Sequence, residues 1–174
     1  MNLLTSRPHD NLPLRHGREF SSLIISMLAA LFLLVAPSGA HASDYPLENI
    51  LPKEMAEALA KQNVKTTSQL LAAGNTGAKR RKLAKTTSLQ RKLLRQWIEM
   101  SDVMRIRGVG PKMATLLRAT RVRTIAKLKR QRAKTLLPRM LKVNAKKKIS
   151  QNPPGHSQVT QWITQAKTLK IVLH

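Results

Sequence analysis

Between Leu89 and Met104 the apolar residues recur at helical intervals: Leu89, Leu93, Trp97, Met100 and Met104 are spaced by four, four, three and four, with Leu94 and Ile98 alongside. Such spacing keeps one face apolar and predicts an amphipathic helix, opened by a capping box of Thr87 and Gln90. Thr66 and Gln69 repeat the capping pattern before Leu70-Leu71-Ala72-Ala73, and Gly74 is placed to cap the C-terminal end of that helix. Near the end of the chain, Pro153-Pro154-Gly155 marks a turn. After it Val159, Trp162, Ile163, Ala166 and Leu169 share one helical face. The alternation that marks half-buried strands does not recur, so the chain beyond residue 42 reads as all-α.

An internal repeat organises these helices. With Pro52-Lys53 laid on Pro111-Lys112 and Glu54 skipped, Met55, Ala56, Leu59, Val64, Thr66 and Leu70 fall on Met113, Ala114, Leu117, Val122, Thr124 and Leu128. Further on, Gln96-Trp97-Ile98 matches Gln161-Trp162-Ile163 and Ile106 matches Ile171. The second copy is thus longer in its middle, and the extra length, which includes Asn144-Ala145-Lys146-Lys147-Lys148, reads as a loop. Each Trp is expected to fill the same core position in its half. The alternative is a chance likeness between two amphipathic helix pairs.

The first 42 residues belong to a different class. Arg7, Arg15 and Arg18 precede the charge-free stretch Ser21–Ala36, which is followed by Pro37-Ser38-Gly39 and Ala40-His41-Ala42. A basic lead, an apolar run and small residues at a cut site form a secretory signal pattern, with cleavage expected after Ala42. The alternative is an uncleaved membrane anchor, although the stretch is short of the ~20 residues a spanning helix needs. Export to a periplasmic or extracellular compartment follows from the first reading. The organisation expected is 1–42 signal peptide, 43–105 first repeat and 106–174 second repeat.

The most specific segment is Ile106-Arg107-Gly108-Val109-Gly110-Pro111-Lys112-Met113-Ala114-Thr115-Leu116-Leu117. The glycines permit a tight turn and close backbone approach, and Pro111 suits the first turn of a following helix. The free N–H groups of that helix can hold a phosphate, with the charge of Lys112 beside them. Ala114 and Leu117 would pack this helix on the preceding one through Ile98, Val103, Met104 and Ile106. The segment resembles the helix-hairpin-helix motif, in which a Gly-apolar-Gly hairpin joins two short helices. The tandem arrangement over roughly residues 47–170, with Val122-Arg123-Thr124 leading into another helix, is similar to a helix-hairpin-helix family catalogued only as a domain of unknown function. The resemblance implies a grip on nucleic-acid backbone without base reading, with Arg107, Gly108, Val109, Gly110 and Lys112 as the contacts. It also implies a place for a monovalent cation on main-chain carbonyls; no other cofactor is expected. Glu48-Asn49-Ile50-Leu51-Pro52 in the first copy has no glycine and departs from the motif, which makes that half a structural partner.

Charge bears on the choice between a ligand-binding hairpin and a packing turn. The chain of 174 residues carries 32 Lys+Arg against 8 Asp+Glu, and residues 43–174 carry +23. No acidic residue follows Asp102, whereas basic groups continue from Arg105 to Lys170. Ordinary solvated faces mix both signs, so the imbalance points to a polyanionic partner. Phe20 and Phe32 lie in the leader and only Tyr45, Trp97 and Trp162 remain, too few aromatics for a base-stacking platform.

Catalysis has little to work with. The absence of Cys excludes disulfides, thiol nucleophiles and Cys-ligated zinc. Only His156 and His174 lie beyond residue 42, at neither metal-ligand nor triad spacing. Glu54 with Glu57 and Glu99 with Asp102 read as solvated salt-bridge partners, and no phosphate-loop or dinucleotide fingerprint is present. The expectation is an exported, non-enzymatic, all-α tandem helix-hairpin-helix module that grips double-stranded DNA without strong sequence preference. Its likeness to competence-type DNA receptors lies only in the hairpin and the export signal. The alternative is a structural or protein-interaction module whose charge meets an anionic envelope surface.

Overall fold

The computed structural model describes residues 44–174, so the signal-peptide reading of residues 1–42 lies outside the described residues. Within them a 3₁₀ turn, Leu47–Asn49, precedes eight α-helices: α1 Lys53–Ala60, α2 Thr67–Gly74, α3 Gly77–Thr87, α4 Arg91–Val103, α5 Pro111–Ala119, α6 Ile125–Leu128, α7 Ala133–Lys147 and α8 His156–Thr168. An isolated antiparallel bridge between Pro46 and Thr66 is all the sheet-like pairing among the described residues. The described residues are all-α, as their periodicity predicts.

Local chemistry explains most boundaries. The Thr66 side chain accepts the N–H of Gln69, and Gln69 Oε1 accepts the N–H of Thr66, so the expected capping box opens α2. Thr76 and Thr124 cap α3 and α6 through the N–H groups of Lys79 and Lys127. The second expected box does not form. Thr87 is the last residue of α3, where its hydroxyl donates to the Leu83 carbonyl at 2.6 Å, and Gln90 precedes α4 without a side-chain cap. The reason is α3 itself: only Leu83 and Ala84 are buried in it, so no apolar stripe announces a helix that runs up to Thr87.

Gly74 is likewise the last residue of α2 rather than a residue beyond it. Its use is close approach, since a Cβ there would overlap Ile98 Cγ1 and Cδ1 on α4. The lysines of 144–147 are not a loop: they complete α7, and Asn144 fastens its end by exchanging hydrogen bonds of 2.9 Å with the backbone of Ser150. The extra residues lengthen the helix and the connector that follows it, and basic composition alone does not distinguish the two.

Two clusters form the core. Leu47, Met55, Leu59, Leu70, Leu94 and Ile98 lie in the first; Met104, Ile106, Val109, Leu117, Ile125 and Trp162 lie in the second. Helix α4 supplies both, with Leu94 and Ile98 on one side and Met100 and Val103 on the other. The stripe is therefore rotated from the one expected, and Leu93 is exposed. Helices α4 and α8 have thirteen residues each and carry Trp at the seventh place. The two Trp residues differ in environment: Trp162 is fully buried, whereas Trp97 is half-buried between the two clusters.

The ends of α1 and α5 share one geometry. Asn63 and Arg121 have φ of 58° and 67°, and the N–H groups of Val64 and Val122 reach back to the carbonyls of Leu59 and Leu117, both at 3.0 Å. This is a Schellman ending, with an apolar pair closing each turn. The C-terminal segment then crosses from one cluster to the other: Ile171 packs on the second and Val172 and Leu173 on the first. There His174 N–H donates to Asn75 O, and Arg80 donates to the carbonyls of His174 and Gly74.

Candidate functional site

The segment between α4 and α5 is built around one left-handed glycine. Val109 N–H donates to Ile106 O at 3.0 Å across a four-residue turn, and Gly108 takes φ +86° at its third position. A turn of this kind requires a positive φ there, which glycine adopts without a Cβ clash. Ile106 and Val109 are fully buried and anchor the turn in the second cluster. Gly110 precedes the helix with extended backbone, φ −83° and ψ −176°, and Pro111 occupies the first turn. Only one of the two glycines therefore needs its conformational freedom.

The five candidate contacts are adjacent in the hairpin but differ in what they present. Arg107, Gly108 and Lys112 are exposed, Gly110 is half-exposed and Val109 is buried. Arg107 offers only its side chain, because its N–H donates to Gln165 Oε1 at 3.0 Å and its carbonyl accepts from Gln165 Nε2. The Gln165 amide thereby straps the hairpin to α8. Gly108 lies over the same helix: a Cβ there would stand 3.2 Å from Trp162 Nε1. Val109 contributes an anchor, with its N–H spent inside the turn. What remains open is the start of α5, where no side chain caps the first-turn N–H groups and Lys112 stands beside them. Helix dipole and unpaired N–H groups give that end a partial positive charge.

Behind the hairpin, two buried carboxylates fix its frame. Glu99 accepts from Arg118 at 2.7 Å and from Arg95 at 3.0 Å, joining α4 to α5. Asp102 accepts the N–H of Ile125 at 2.8 Å, opening α6, and pairs with Arg105 at 3.1 Å. Burial pushes the Asp102 carboxyl above the ordinary carboxylate range, although the Ile125 N–H and Arg105 oppose the shift. Both acids are salt-bridge partners, as expected of them, but neither is solvated. Arg105 also donates to Lys170 O, which ties the hairpin's approach to the C-terminal segment.

The corresponding part of the first copy is different. Leu47–Asn49 closes as a 3₁₀ turn with no positive φ, and Pro52 leads into α1 without a side-chain cap. Lys53 faces Glu57 at 4.0 Å, with Glu48 and Glu54 nearby in the chain, so its charge is offset. Lys112 has no acidic neighbour on its own helix.

Sequence reasoning did not find Gln165 or the helix-capping role of Asp102. Asp102 could have been flagged as the last acid before an acid-free stretch. Gln165 carries no local signal, because its role depends on how α8 packs.

What the fold and site define is an all-α protein with an open helix start on a glycine turn and a strongly basic surface. The chain belongs to the family described as a domain of unknown function (DUF4332), whose model matches residues 49–169. Comparison with curated proteins and with solved structures returns no match.

Proposed function

We propose that this protein is an exported, non-enzymatic tandem helix-hairpin-helix module that binds the backbone of double-stranded DNA without strong sequence preference. The observation that carries the reading is the uncapped start of α5, presented by the Gly108 turn with Lys112 and Arg107 exposed beside it. A phosphate placed there meets N–H donors and the positive end of the helix, and two side chains add charge. Neither base-edge readout nor stacking is offered by a Gly-Val-Gly turn whose apolar residue is buried. The repeated Schellman endings and the matched lengths of α4 and α8 support the tandem reading. Export rests on the leader sequence and is read out by mass spectrometry, which should find Ser43 at the N-terminus. A monovalent cation at the hairpin would share the carbonyls of Ile106 and Arg107 with the donors they already accept.

The test is binding of duplexes of unrelated sequence across a salt series. Affinities should be similar, and log K should fall linearly with log salt by about 0.9 per phosphate neutralised. Lys112→Ala should reduce that slope, whereas Lys53→Ala, its counterpart beside Glu57, should change it less. Equal losses for the two would replace a hairpin grip with diffuse attraction. Tighter binding to acidic lipid vesicles than to DNA at equal salt would favour an anionic envelope surface as the target.

A further inference from the structure

At the far end of α5 from the hairpin lies a cleft of about 650 Å³ whose seven lining residues include Thr115, Arg118, Ala119, Arg121, Arg123 and Lys147. Four of the seven are basic, and α5, α7 and the turn between α5 and α6 contribute those four. Lys112, Thr115 and Ala119 follow one another at spacings of three and four, so one face of α5 runs from the hairpin to the cleft. The nine residues of α5 span about 12 Å at 1.5 Å per residue.

We propose that this cleft is a second phosphate-binding site, taking backbone phosphates of the same nucleic-acid strand beyond those at the hairpin. The inference rests on the nucleic-acid reading above and extends its footprint along α5. Three features set the cleft apart from the general basic surface. Arg118 is held in place by Glu99, itself buried and braced by Arg95, so its guanidinium is positioned before any ligand arrives. Basic side chains at the ends of α5 and α7 suit the helix dipole, which accounts for Arg118 and Lys147. Arg121 and Arg123 lie beyond the helix and are not accounted for in that way; Arg121 even holds φ +67°, a conformation that Asn adopts more readily.

The third feature is the internal comparison. At the offset of 58 that relates Leu59 to Leu117 and Val64 to Val122, the cleft residues Thr115, Arg118, Arg121 and Arg123 correspond to Glu57, Ala60, Asn63 and Lys65. The backbone at this place is the same in both copies, including the two Schellman endings. The charge is not: the first copy is neutral over these four positions, whereas the second carries three basic groups, of which Arg118 is paired with Glu99 and Arg121 and Arg123 have no acidic partner among the described residues. Three of the four last carbonyls of α5, which would repel an anion, are engaged, since Leu116, Leu117 and Arg118 accept N–H groups from Thr120, Arg121 and Val122.

The experiment compares two double variants of the full chain by fluorescence anisotropy on a duplex of about 20 base pairs, roughly two turns. Arg121→Asn with Arg123→Ala removes two cleft charges, and Asn at 121 is the residue the first copy uses at the same φ. Lys61→Ala with Lys65→Ala removes two charges from the matching end of α1. The cleft pair should flatten the plot of log K against log salt by about 1.8, two phosphates' worth, and the control pair should leave it nearly unchanged. Lys147→Ala, on a different helix, should flatten it by about 0.9 independently of the turn. If the cleft pair matches the control pair while Lys112→Ala still flattens the slope, the second site falls and the hairpin reading stands. If none of the variants alters the slope, both fall. Weakened binding to phosphatidylglycerol vesicles with unchanged DNA binding would also overturn the proposal and assign the cleft to a lipid surface.

Discussion

Asp102 shows how a single buried group can serve the fold at a cost. Its carboxylate supplies the acceptor that opens α6 and balances Arg105, yet burial holds its proton affinity above the ordinary value of 3.8. Between that value and the raised one the folded chain binds more protons than the unfolded chain, so this group's contribution to stability falls as pH rises through the window. Asp102→Asn keeps an acceptor for Ile125 and removes the titration. Melting curves of the variant should therefore gain on wild type as pH rises above about 4, and a relative loss in that direction would contradict the assignment. Asp102→Ala removes the acceptor and should lower stability at every pH by roughly 1–3 kcal/mol. Asp44 acts in the opposite sense. Burial raises its carboxyl, but hydrogen bonds from Ser68, Thr66 and Thr67 outweigh it and hold the group below its ordinary range. The stability it adds is present above 3.8 and is lost as pH falls through the lowered value. The two hairpin glycines also separate at this scale. Gly108→Ala forces a Cβ onto φ +86° within 3.2 Å of Trp162 and should cost roughly 1–3 kcal/mol in a thermal melt. Gly110 has negative φ, and its Cβ would meet only Tyr45 Oη at 3.4 Å, so Gly110→Ala should keep the fold within about 0.5 kcal/mol. Unchanged DNA binding by Gly110→Ala would then mean that no phosphate approaches there.

Among the elements, legibility follows how locally each is determined. The Thr66 box, the Pro111 start and the buried face of α8 could all be read from residues within two turns of one another, and the structure has them. Helix α3 could not, because only Leu83 and Ala84 in its eleven residues are buried and its long polar face resembles a basic loop. The same composition hid the last turn of α7, which Asn144 and Ser150 close through side-chain bonds that no periodicity records. Within the hairpin, sequence marked the residues but not their division of labour: Val109 as anchor, Gly108 as turn, Arg107 strapped by Gln165 from 58 positions away. Gly74 is the clearest case of tertiary packing behind a residue that reads as local punctuation. Its neighbour in space is Ile98, so Gly74→Ala should fail by overpacking rather than by a lost cap, costing roughly 1–3 kcal/mol despite the gain in helix propensity. Pairing it with Ile98→Val, which removes the overlapping Cδ1, should recover part of that loss in a thermal melt. Strict additivity of the two losses would show that the two sites do not touch.

For the whole molecule, the excess of positive charge gives salt two opposite effects. Residues 43–174 carry 29 basic groups against six acids, and three of those acids, Glu57, Glu99 and Asp102, are paired with Lys53, Arg95, Arg118 and Arg105. Most of the remaining cations repel one another across both core clusters, which are joined through α4 and the C-terminal segment. The free protein should accordingly melt higher as salt rises, since counterions screen that repulsion over a Debye length of about 10 Å at 0.1 M. With duplex DNA present the order should reverse. At low salt the ligand neutralises the cations and adds RT ln(1 + [L]/Kd) to the folded state, about 2.7 kcal/mol when DNA is at a hundred times Kd. Raising the salt weakens binding and removes that gain. The two melting curves, with and without DNA, should therefore converge at high salt from opposite directions. Parallel curves would mean that DNA binds the unfolded polycation as well as the fold, and that charge alone, not the folded hairpin and its α5, recognises the ligand.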